Sequence, residues 1–256
     1  TVGVYGGTNI NTQKQIVAEG CDILVATPGR LYDLAASGVL QLKSIGKLVI
    51  DEVDVMLDLG FRKQLTDIFI LLPEKRQNLM FSATMTEEVD ELINAFFILP
   101  EKISIALSGT PLDNIHQSAY QVENFFTKVN MLNFLLKDKE KFSKTLIFVS
   151  TKKNADLVFE NMEEIFGSEM CIIHSTKAQH YRIRSIKQFE EGKNRIIIAT
   201  DVIARGLDLD NISHVISFDV PAFPENYMHR IGRTGRAEKQ GESILFFTEK
   251  EIAKKE

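Results

Sequence analysis

Short runs of apolar and β-branched residues alternate along the chain with longer amphipathic segments. The runs are continuously apolar, which is typical of parallel strands that are covered on both faces. Strands that alternate with helices predict βαβ units, and therefore an α/β fold built on parallel sheets. The predicted strands are residues 22–26, 47–50, 78–81, 144–149, 170–173, 195–199, 214–218 and 243–247, and the predicted helices are 61–72, 87–97, 154–166 and 178–190.

A cluster of turn-forming residues interrupts this pattern at residues 108–114, where Gly, Pro, Asp and Asn are concentrated. The second half of the chain then begins its own series of five buried-type strands. We therefore predict two α/β domains, residues 1–108 and 117–256, joined by a linker at residues 109–116. A cleft between two such domains is a preferred place for a ligand.

Composition narrows the class of protein. Hydrophobic residues make up 44% and charged residues 25% of the 256 residues, as in globular proteins. No apolar run approaches the roughly 18 residues of a membrane span, so we predict no membrane association. The net charge of −5 argues against binding to nucleic acid through bulk positive charge, although a local track of basic and amide groups could still contact phosphates.

The two cysteines indicate the redox compartment of the protein. Cys21 and Cys171 are far apart and belong to no CxxC motif, so we interpret them as two reduced cytosolic thiols and predict neither a disulfide nor a zinc site.

Residue 1 is Thr, and it is followed directly by a strand-like run at residues 2–5. We expect that the chain begins inside a longer protein.

Three carboxylates follow the predicted strand 47–50 directly, at Asp51, Glu52 and Asp54. Ligands of open α/β sheets bind at the carboxyl ends of strands. Neighbouring negative charges are costly unless a cation compensates them, and Mg²⁺ on a nucleotide is a natural compensator. The alternative is a solvated acidic loop.

The densest basic feature is the segment 229–236, which holds Arg233 and Arg236 three residues apart. On one helical turn these arginines would face the same way, and Gly232 and Gly235 would let the backbone approach a ligand. Guanidinium groups fit phosphate oxygens and stabilise the charge that builds on a transferring phosphoryl group. The alternative is a basic surface loop without a ligand.

Several weaker signals also lie at predicted strand ends. Residues 27–30 are Thr-Pro-Gly-Arg, and residues 82–84 are Ser-Ala-Thr. The hydroxyls of Ser82 and Thr84 could form hydrogen bonds to groups across a cleft, or they could cap the next helix. Thr86, followed by two glutamates, has the features of an N-cap for the helix 87–97. Gln179 and Arg182 would share one face of a helix, and His174 is interpreted as a structural histidine.

Taken in order, these segments resemble the DEAD-box family of superfamily 2 RNA helicases over nearly the whole chain. Residues 27–30 match motif Ib, 51–54 motif II and 82–84 motif III, and residues 6–7 match the GG element. In the second half, the segments that resemble motif IV, the QxxR motif, motif V and motif VI are residues 147–151, 179–182, 199–208 and 229–236. The resemblance implies two tandem RecA-like parallel-sheet domains, the first incomplete at its N-terminus.

The resemblance also implies a nucleotide site for ATP and Mg²⁺. Asp51 would bind Mg²⁺ through water, and Glu52 would position or activate the hydrolytic water. Arg233 and Arg236 would be arginine fingers on the γ-phosphate, and Asp208 would contact the ribose. Asp54, at the edge of this site, would also help to couple the two lobes.

The same resemblance implies an RNA path and a set of coupling residues. Contacts would go to the RNA sugar–phosphate backbone without sequence preference. The residues that would line the RNA path are Gly7, Thr27, Gly29, Arg30, Thr151, Arg182 and Thr200. Besides Asp54, the residues that would couple the lobes are Ser82, Thr84, Gln179 and His229.

The chain departs from the family pattern in two places. Val53 stands where the family has Ala, which implies only a small change in packing. More seriously, no GxxxxGK[ST] loop occurs in these residues, and that loop cradles phosphates in such enzymes. The segments that bear the loop, the Q motif and motif Ia would precede Thr1, so we expect the given residues alone to hydrolyse ATP poorly or not at all.

We therefore predict a cytoplasmic, RNA-dependent ATPase and helicase. The sequences of its motifs resemble those of bacterial members of the family. A non-catalytic RNA clamp with the same fold is the first alternative, and a DNA translocase of the same superfamily is the second. The enzyme is favoured over the clamp because the chain retains Glu52, Arg233 and Arg236. An RNA substrate is favoured over DNA by the sequences of the segments TPGR, SAT and HRIGRTGR.

Overall fold

A computed structural model describes residues 1–104, 114–201, 209, 211–235 and 240–252. The chain divides into two compact units, of which unit 1 is Thr1–Ser104 and unit 2 is Ile105–Glu256. Ile115 and His116, which the sequence placed in the linker, are the first two residues of a strand. The linker residues 109–113 lie outside the described residues. No helix in the described part of the chain is long and apolar enough to cross a membrane.

Unit 1 contains two separate pairs of parallel strands, β1 with β2 and β3 with β4. Its apolar core is formed mainly where the second pair packs against helices α3 to α5. The elements in chain order are β1 Val2–Val4, α1 Ile10–Ala18, β2 Leu24–Ala26, α2 Pro28–Ala36, β3 Lys47–Ile50, α3 Val53–Asp58, α4 Arg62–Leu71, β4 Gln77–Met80 and α5 Glu87–Phe96.

The helices of unit 1 begin where the sequence supplies a cap. Asn9 accepts a hydrogen bond from the Asn11 amide at the start of α1, and Pro28 occupies the first turn of α2, where its missing N–H is not needed. The Thr86 side chain accepts from the Val89 amide at 3.3 Å, and acids fill the first turn of α5. The prediction that Thr86 caps this helix is confirmed.

Unit 2 is built on one six-stranded parallel sheet with the strand order β5-β10-β9-β6-β8-β7. The described residues of this unit also form two short 3₁₀ helices, Gly167–Glu169 and Glu249–Glu251. The elements in chain order are β5 Ile115–Gln121, α6 Phe125–Leu135, β6 Thr145–Phe148, α7 Lys152–Phe166, β7 Met170–Ile173, α8 Gln179–Glu190, β8 Ile196–Ala199, β9 His214–Ser217, α9 Pro224–Ile231 and β10 Gly241–Phe247.

Alternate residues of the central strands in unit 2 enter two different cores. On β6, Ile147 joins the cluster that packs against α6 and α7, whereas Leu146 and Phe148 join the cluster that contains Phe189 of α8. All residues of β6, β7, β8 and β9 are buried. The prediction that the continuous apolar runs are covered on both faces is therefore confirmed in this unit.

The same prediction is wrong for unit 1. Val25, Val49 and Leu79 are 61%, 60% and 39% exposed, although they lie within strands β2, β3 and β4. Each two-stranded sheet in the described structure is packed on one face, so every second residue points to solvent. An apolar run in the sequence shows that a residue is compatible with burial, and it does not show what covers the residue.

The five buried-type strands predicted in the second half of the chain are confirmed as β6 to β10, but the described part of unit 2 has a sixth strand that was not predicted. The missed strand is β5, which lies at the edge of the sheet and pairs only with β10 among the described strands. Most of its residues are exposed, and apart from Ile115, Ala119 and Tyr120 they are polar. A strand of this kind produces no continuous apolar run.

Two valines in strands provide a test of this difference between the units. Val215→Ala in β9, where the side chain is fully buried, is expected to lower the free energy of unfolding by about 2 kcal/mol. Val49→Ala is expected to change it by less than about 0.5 kcal/mol, as at other exposed positions. Urea denaturation of both variants measures the change, and equal losses would contradict the exposure of Val49.

The two cysteines are both free, and they differ in accessibility. Cys21 is exposed and Cys171 is buried in β7, where burial raises the pKa of the Cys171 thiol to about 11. The Cys171 thiol therefore stays protonated, and so a poor nucleophile, at every pH well below 11.

A thiol-reactive disulfide reagent at pH 8 is expected to modify one cysteine rapidly in the native protein and two in denaturant. The variant Cys21→Ser is expected to show no rapid reaction in the native state. A rapid reaction in that variant would mean that Cys171 is accessible.

Candidate functional site

The acidic turn begins where β3 ends. The amide of Phe81, after β4, donates to the Ile50 carbonyl at 2.8 Å, and the Val53 amide donates to the Phe81 carbonyl at 3.1 Å. These bonds hold both ends of the turn against the neighbouring strand. Asp51 and Glu52 are exposed between them, so their carboxylates are accessible to a ligand from solvent.

Glu52 adopts a left-handed backbone conformation, with φ 51° and ψ 47°, immediately before α3. This conformation costs a non-glycine residue about 1 kcal/mol, so the surrounding hydrogen bonds must enforce it. The Glu52 amide donates to the Asp51 carboxylate at 2.9 Å, which fixes that side chain as well. The turn is therefore held in one conformation before any ligand binds.

Asp54 is the buried member of the cluster, with 5% exposure. One of its oxygens accepts from both the amide and the hydroxyl of Thr84, at 3.0 and 2.8 Å, and the other accepts from the Val55 amide at 3.0 Å. The Ser82 hydroxyl donates to the Thr84 carbonyl at 2.7 Å. Asp54 thus ties α3 to the segment 82–84, while Asp51 and Glu52 remain the solvent-facing acids.

This arrangement distinguishes the two interpretations of the Ser-Ala-Thr segment. Helix α5 is capped by Thr86, so the hydroxyls of Ser82 and Thr84 are not needed at its N-terminus. The Ser82 hydroxyl donates to the Thr84 carbonyl instead, and the Thr84 hydroxyl donates to Asp54. The structure therefore removes the helix-capping alternative, and the proposed action of these hydroxyls across a cleft stays a prediction.

The second group of candidate residues in unit 1 lies at the carboxyl ends of β1 and β2. Because these strands are parallel, the turn that contains Gly7 and the start of α2 are neighbours. The Thr27 amide donates to the Val4 carbonyl at 3.1 Å, and the Thr27 side chain makes no capping bond to α2. Gly7 has a φ of 76°, which favours glycine. Gly29 lies in the first turn of α2, a position that favours anions.

A glutamine that sequence analysis missed holds this group together. Gln13 on α1 is 6% exposed, and its amide nitrogen donates to the Tyr5 carbonyl and the Thr8 hydroxyl. Its carbonyl oxygen accepts from Arg30 at 2.6 Å, and Arg30 also donates to the Thr8 carbonyl at 2.9 Å. A polar residue within a helix gave no motif, so only the packing reveals this role.

The candidate residues of unit 2 lie along the carboxyl edge of the six-stranded sheet. Thr151 follows β6 and caps α7 by accepting from the Asn154 amide at 3.1 Å. Thr200 follows β8, is buried, and its amide donates to the Ile173 carbonyl of β7. Strand pairing therefore brings Thr151 and Thr200 to the same edge.

Two further interpretations in unit 2 are decided by side-chain contacts. Arg182 donates to the side-chain carbonyl of Gln179, which confirms that the two share one helical face. His174 is buried and lies within hydrogen-bond distance of Asp156 and Thr176, so its interpretation as a structural residue is confirmed. Burial opposes ionisation of Asp156, but hydrogen bonds from Lys177 and His174 outweigh it and lower the Asp156 pKa.

The arginine segment differs from the prediction. Helix α9 ends at Ile231, so Arg233 lies beyond the end of this helix. Beyond the helix, the Thr234 hydroxyl donates to the Ile212 carbonyl at 2.5 Å, and Gly235 has a φ of 67°. Residues 233–235 therefore do not continue the predicted helical turn. Residue 236 lies outside the described residues, so its orientation toward the same side as Arg233 stays a prediction.

His229 and Arg233 bracket the end of α9, and the Arg233 side chain donates to the His229 carbonyl at 3.3 Å. Arg236 and Asp208 lie outside the described residues. Their predicted contacts with the γ-phosphate and the ribose therefore stay predictions.

Arg230 was not singled out by sequence, yet it anchors the segment. It is 1% exposed and donates to both carboxylate oxygens of Asp201, at 2.5 and 2.7 Å, and to the Asp219 carbonyl at 2.7 Å. Bidentate pairs of this kind fix orientation as well as distance. Arg230 thus joins the end of β8 to the helix that carries His229.

A second buried cation, Lys128 on α6, extends this network. Lys128 lies 3.4 Å from the Asp219 carboxylate and 3.0 Å from Glu251, and the Ser150 amide donates to the other Asp219 oxygen. Burial opposes ionisation of Glu251, but hydrogen bonds from Lys128 and Thr248 outweigh it and lower the Glu251 pKa. The network therefore ties the segment after β6 to the segment after β9.

Comparison with known proteins gives the family context of this geometry. Residues 1–92 match the DEAD/DEAH box helicase model, and residues 127–238 match the model for the helicase conserved C-terminal domain. The ATP-dependent RNA helicase p62 of Drosophila melanogaster is 41% identical over 96% of the chain. The chain spans 34% of that protein, and between 23% and 41% of the curated relatives it matches.

Two solved structures are similar as well. Saccharomyces cerevisiae Dbp5 bound to RNA and ADP BeF3 is 31% identical in sequence, with a TM-score of 0.78. The match covers 88% of this chain and 59% of the Dbp5 chain. A DEAD box protein from Methanococcus jannaschii is 35% identical over 98% of the chain and 67% of its own length, with a TM-score of 0.51. Such neighbours confirm the predicted α/β fold of tandem RecA-like parallel-sheet domains. The bacterial source stays a prediction.

The bond between Thr84 and Asp54 generates a stability prediction. Thr84→Val removes the hydroxyl donor and keeps the amide donor, so one bond to a buried carboxylate is lost. We expect α3 and α5 to be destabilised by about 1–2 kcal/mol, as for other hydrogen bonds to charged groups. Hydrogen exchange of residues 53–58 in urea measures this loss.

Thr84→Ser retains the hydroxyl and is expected to restore most of that stability. Thr66→Val is a matched control, because the Thr66 hydroxyl donates only to the Arg62 carbonyl at an exposed position. Equal effects of Thr84→Val and Thr66→Val would contradict the importance of the buried bond.

Proposed function

The chain belongs to the DEAD/DEAH box helicase family, and we propose on that basis that the whole protein is an ATP-dependent RNA helicase. It would separate short RNA duplexes locally and couple this to ATP hydrolysis. The observation that carries the proposal is the acidic turn after β3, in which Asp51 and Glu52 are exposed while Asp54 is locked to Thr84. A solvated acidic loop would need neither the left-handed Glu52 nor the buried Asp54.

The turn suits a magnesium ion that arrives with a nucleotide. Among the described residues, no group of three or more His, Cys, Asp or Glu side chains is placed to hold a metal ion. Mg²⁺ commonly binds one or two carboxylates and takes its other ligands from phosphates and water. Asp51 would contact hydrated Mg²⁺ of MgATP, which would neutralise charge on the phosphates, and Glu52 would orient the attacking water and accept its proton.

The basic groups of unit 2 would act on the same nucleotide. Arg233 and Arg236 would stabilise the negative charge that develops on the γ-phosphate, and Asp208 would bind the ribose. Arg230, which is held by Asp201, would fix the backbone from which Arg233 extends. The residues that would transmit the state of the nucleotide to the RNA-binding residues are Asp54, Ser82, Thr84, Gln179 and His229.

RNA would bind along the carboxyl edges of the sheets. In unit 1 the RNA would bind around the N-terminus of α2, where backbone amides can donate to a phosphate. The residues there are Gly7, Thr27, Gly29 and Arg30. In unit 2 the corresponding residues are Thr151, Arg182 and Thr200. Contacts of this kind go to the sugar–phosphate backbone and carry little sequence preference. We further propose a cytoplasmic location, which agrees with two free thiols.

The decisive experiment uses the full-length protein, since these 256 residues contain no GxxxxGK[ST] loop. Glu52→Gln replaces a proton acceptor by an amide of the same shape. We expect RNA-stimulated ATP hydrolysis to fall at least about 100-fold, while RNA binding with a non-hydrolysable ATP analogue is unchanged. A coupled phosphate-release assay and fluorescence anisotropy measure the two activities.

Glu74→Gln removes one carboxylate from an exposed loop of the same unit and is the matched control, with activity expected to be unchanged. Full activity in Glu52→Gln would remove Glu52 from the proposed role. RNA binding by the unsubstituted protein without any ATP hydrolysis would instead indicate a non-catalytic RNA clamp.

A further inference from the structure

The proposed RNA-binding groups of unit 1 are connected by a buried amide that no motif includes. Gln13 projects from α1 between the turn at residues 5–8 and the first turn of α2. Its amide nitrogen donates to the Tyr5 carbonyl at 3.2 Å and to the Thr8 hydroxyl at 2.7 Å. Its oxygen accepts from Arg30 at 2.6 Å. A primary amide is a donor and an acceptor at once, and here both functions are used.

Arg30 is held at two points by these contacts. One terminal nitrogen donates to Gln13 and the other donates to the Thr8 carbonyl at 2.9 Å. A guanidinium group carries five N–H donors in a plane, so two bonds fix that plane and leave donors for a ligand. A free arginine would instead have to lose its side-chain entropy when it bound a phosphate.

The turn is fixed by the same residues. The Thr8 hydroxyl donates to the Tyr5 carbonyl at 3.1 Å and accepts from Gln13. Gly7, between them, adopts its left-handed conformation with φ 76°. Without Gln13, both the turn and Arg30 lose a bond, so their relative positions would be free to vary.

We propose that Gln13 is a positioning residue for RNA binding, which acts through Arg30 and the Gly6–Gly7 turn. It holds a guanidinium group and a row of backbone amides at the spacing that binds the sugar–phosphate backbone. The inference rests on the proposed function, because it assumes that Arg30 and Gly7 contact RNA. The apolar packing between α1, β1 and α2, through Val4, Val17 and Leu34, is separate from this polar contact.

The test is a double-mutant cycle on the full-length protein with a non-hydrolysable ATP analogue and a single-stranded RNA of about ten nucleotides. Gln13→Ala and Arg30→Ala are each expected to raise the Kd for RNA about tenfold. The double variant is expected to bind no more weakly than Arg30→Ala alone, because residues that act as one unit are not additive. Fluorescence anisotropy measures the Kd values.

The salt dependence of binding separates positioning from general stability. Loss of one phosphate contact reduces the slope of log K against log salt concentration by about 0.7 for single strands. Arg30→Ala is expected to show this reduction, and so is Gln13→Ala, although it removes no charge. A purely structural defect would lower the melting temperature without changing the slope.

The matched control is Asn78→Ala in β4 of the same unit. The Asn78 side chain also accepts from an arginine, Arg76, at 2.9 Å and donates to a backbone carbonyl, but it belongs to another strand pair. Its RNA affinity and salt slope are expected to equal those of the unsubstituted protein. Gln13→Met, which is nearly isosteric, takes the place of Gln13→Ala if the smaller residue prevents folding.

The outcomes separate this inference from the proposed function. Additive effects, or an unchanged Kd and slope in both Gln13 variants beside a weakened Arg30→Ala, would overturn the role of Gln13 alone. Unchanged binding in Arg30→Ala would overturn it as well, because Gln13 would have nothing to act through. If the unsubstituted protein binds no RNA, the proposed function fails and the inference fails with it.

Discussion

Parallel strand pairing constrains this molecule more than any other interaction, because it brings the carboxyl ends of neighbouring strands to a common edge. Pairing of β1 with β2 places Gly7 beside Thr27, and pairing of β3 with β4 places Asp51 beside Ser82. In unit 2 the segments after β6, β7 and β8 share an edge for the same reason. Residues that are far apart in sequence therefore lie along one edge of a sheet.

Buried charged groups then fix how the segments at these edges are oriented. Asp54, Arg230 and Lys128 are each at least 95% buried, and each is paired with groups from a distant part of its own unit. A buried charge that loses its partner is strongly destabilising, while the intact pair adds little net stability. These residues are therefore best understood as devices that select one arrangement of the functional segments.

Polar side chains that bond to the backbone have a complementary effect. Gln13 donates to the Tyr5 carbonyl after β1, and the Ser82 hydroxyl donates to the Thr84 carbonyl after β4, so each fixes a turn that carries candidate functional groups. The left-handed Glu52 belongs to the same class of feature, because its strained backbone persists only while the neighbouring bonds hold it. A site organised in this way does not have to lose conformational freedom when its ligand binds.

The sequence by itself determined the alternation of strands and helices and the position of most strands, because a continuous apolar run reports local compatibility with a buried strand. It also determined which residues follow those strands, such as Asp51 after Ile50. It missed β5, whose exposed residues leave no continuous apolar run, and it placed Arg233 on a helical turn, whereas α9 ends at Ile231.

The tertiary structure alone decided which distant side chains pair. Thr84 and Asp54 are 30 residues apart, Arg230 and Asp201 are 29 apart, and Arg30 and Gln13 are 17 apart. Periodicity and motif spacing report the surroundings of a residue along its own element. The choice of a hydrogen-bond partner depends on how separate elements pack, and no local pattern in the sequence encodes it.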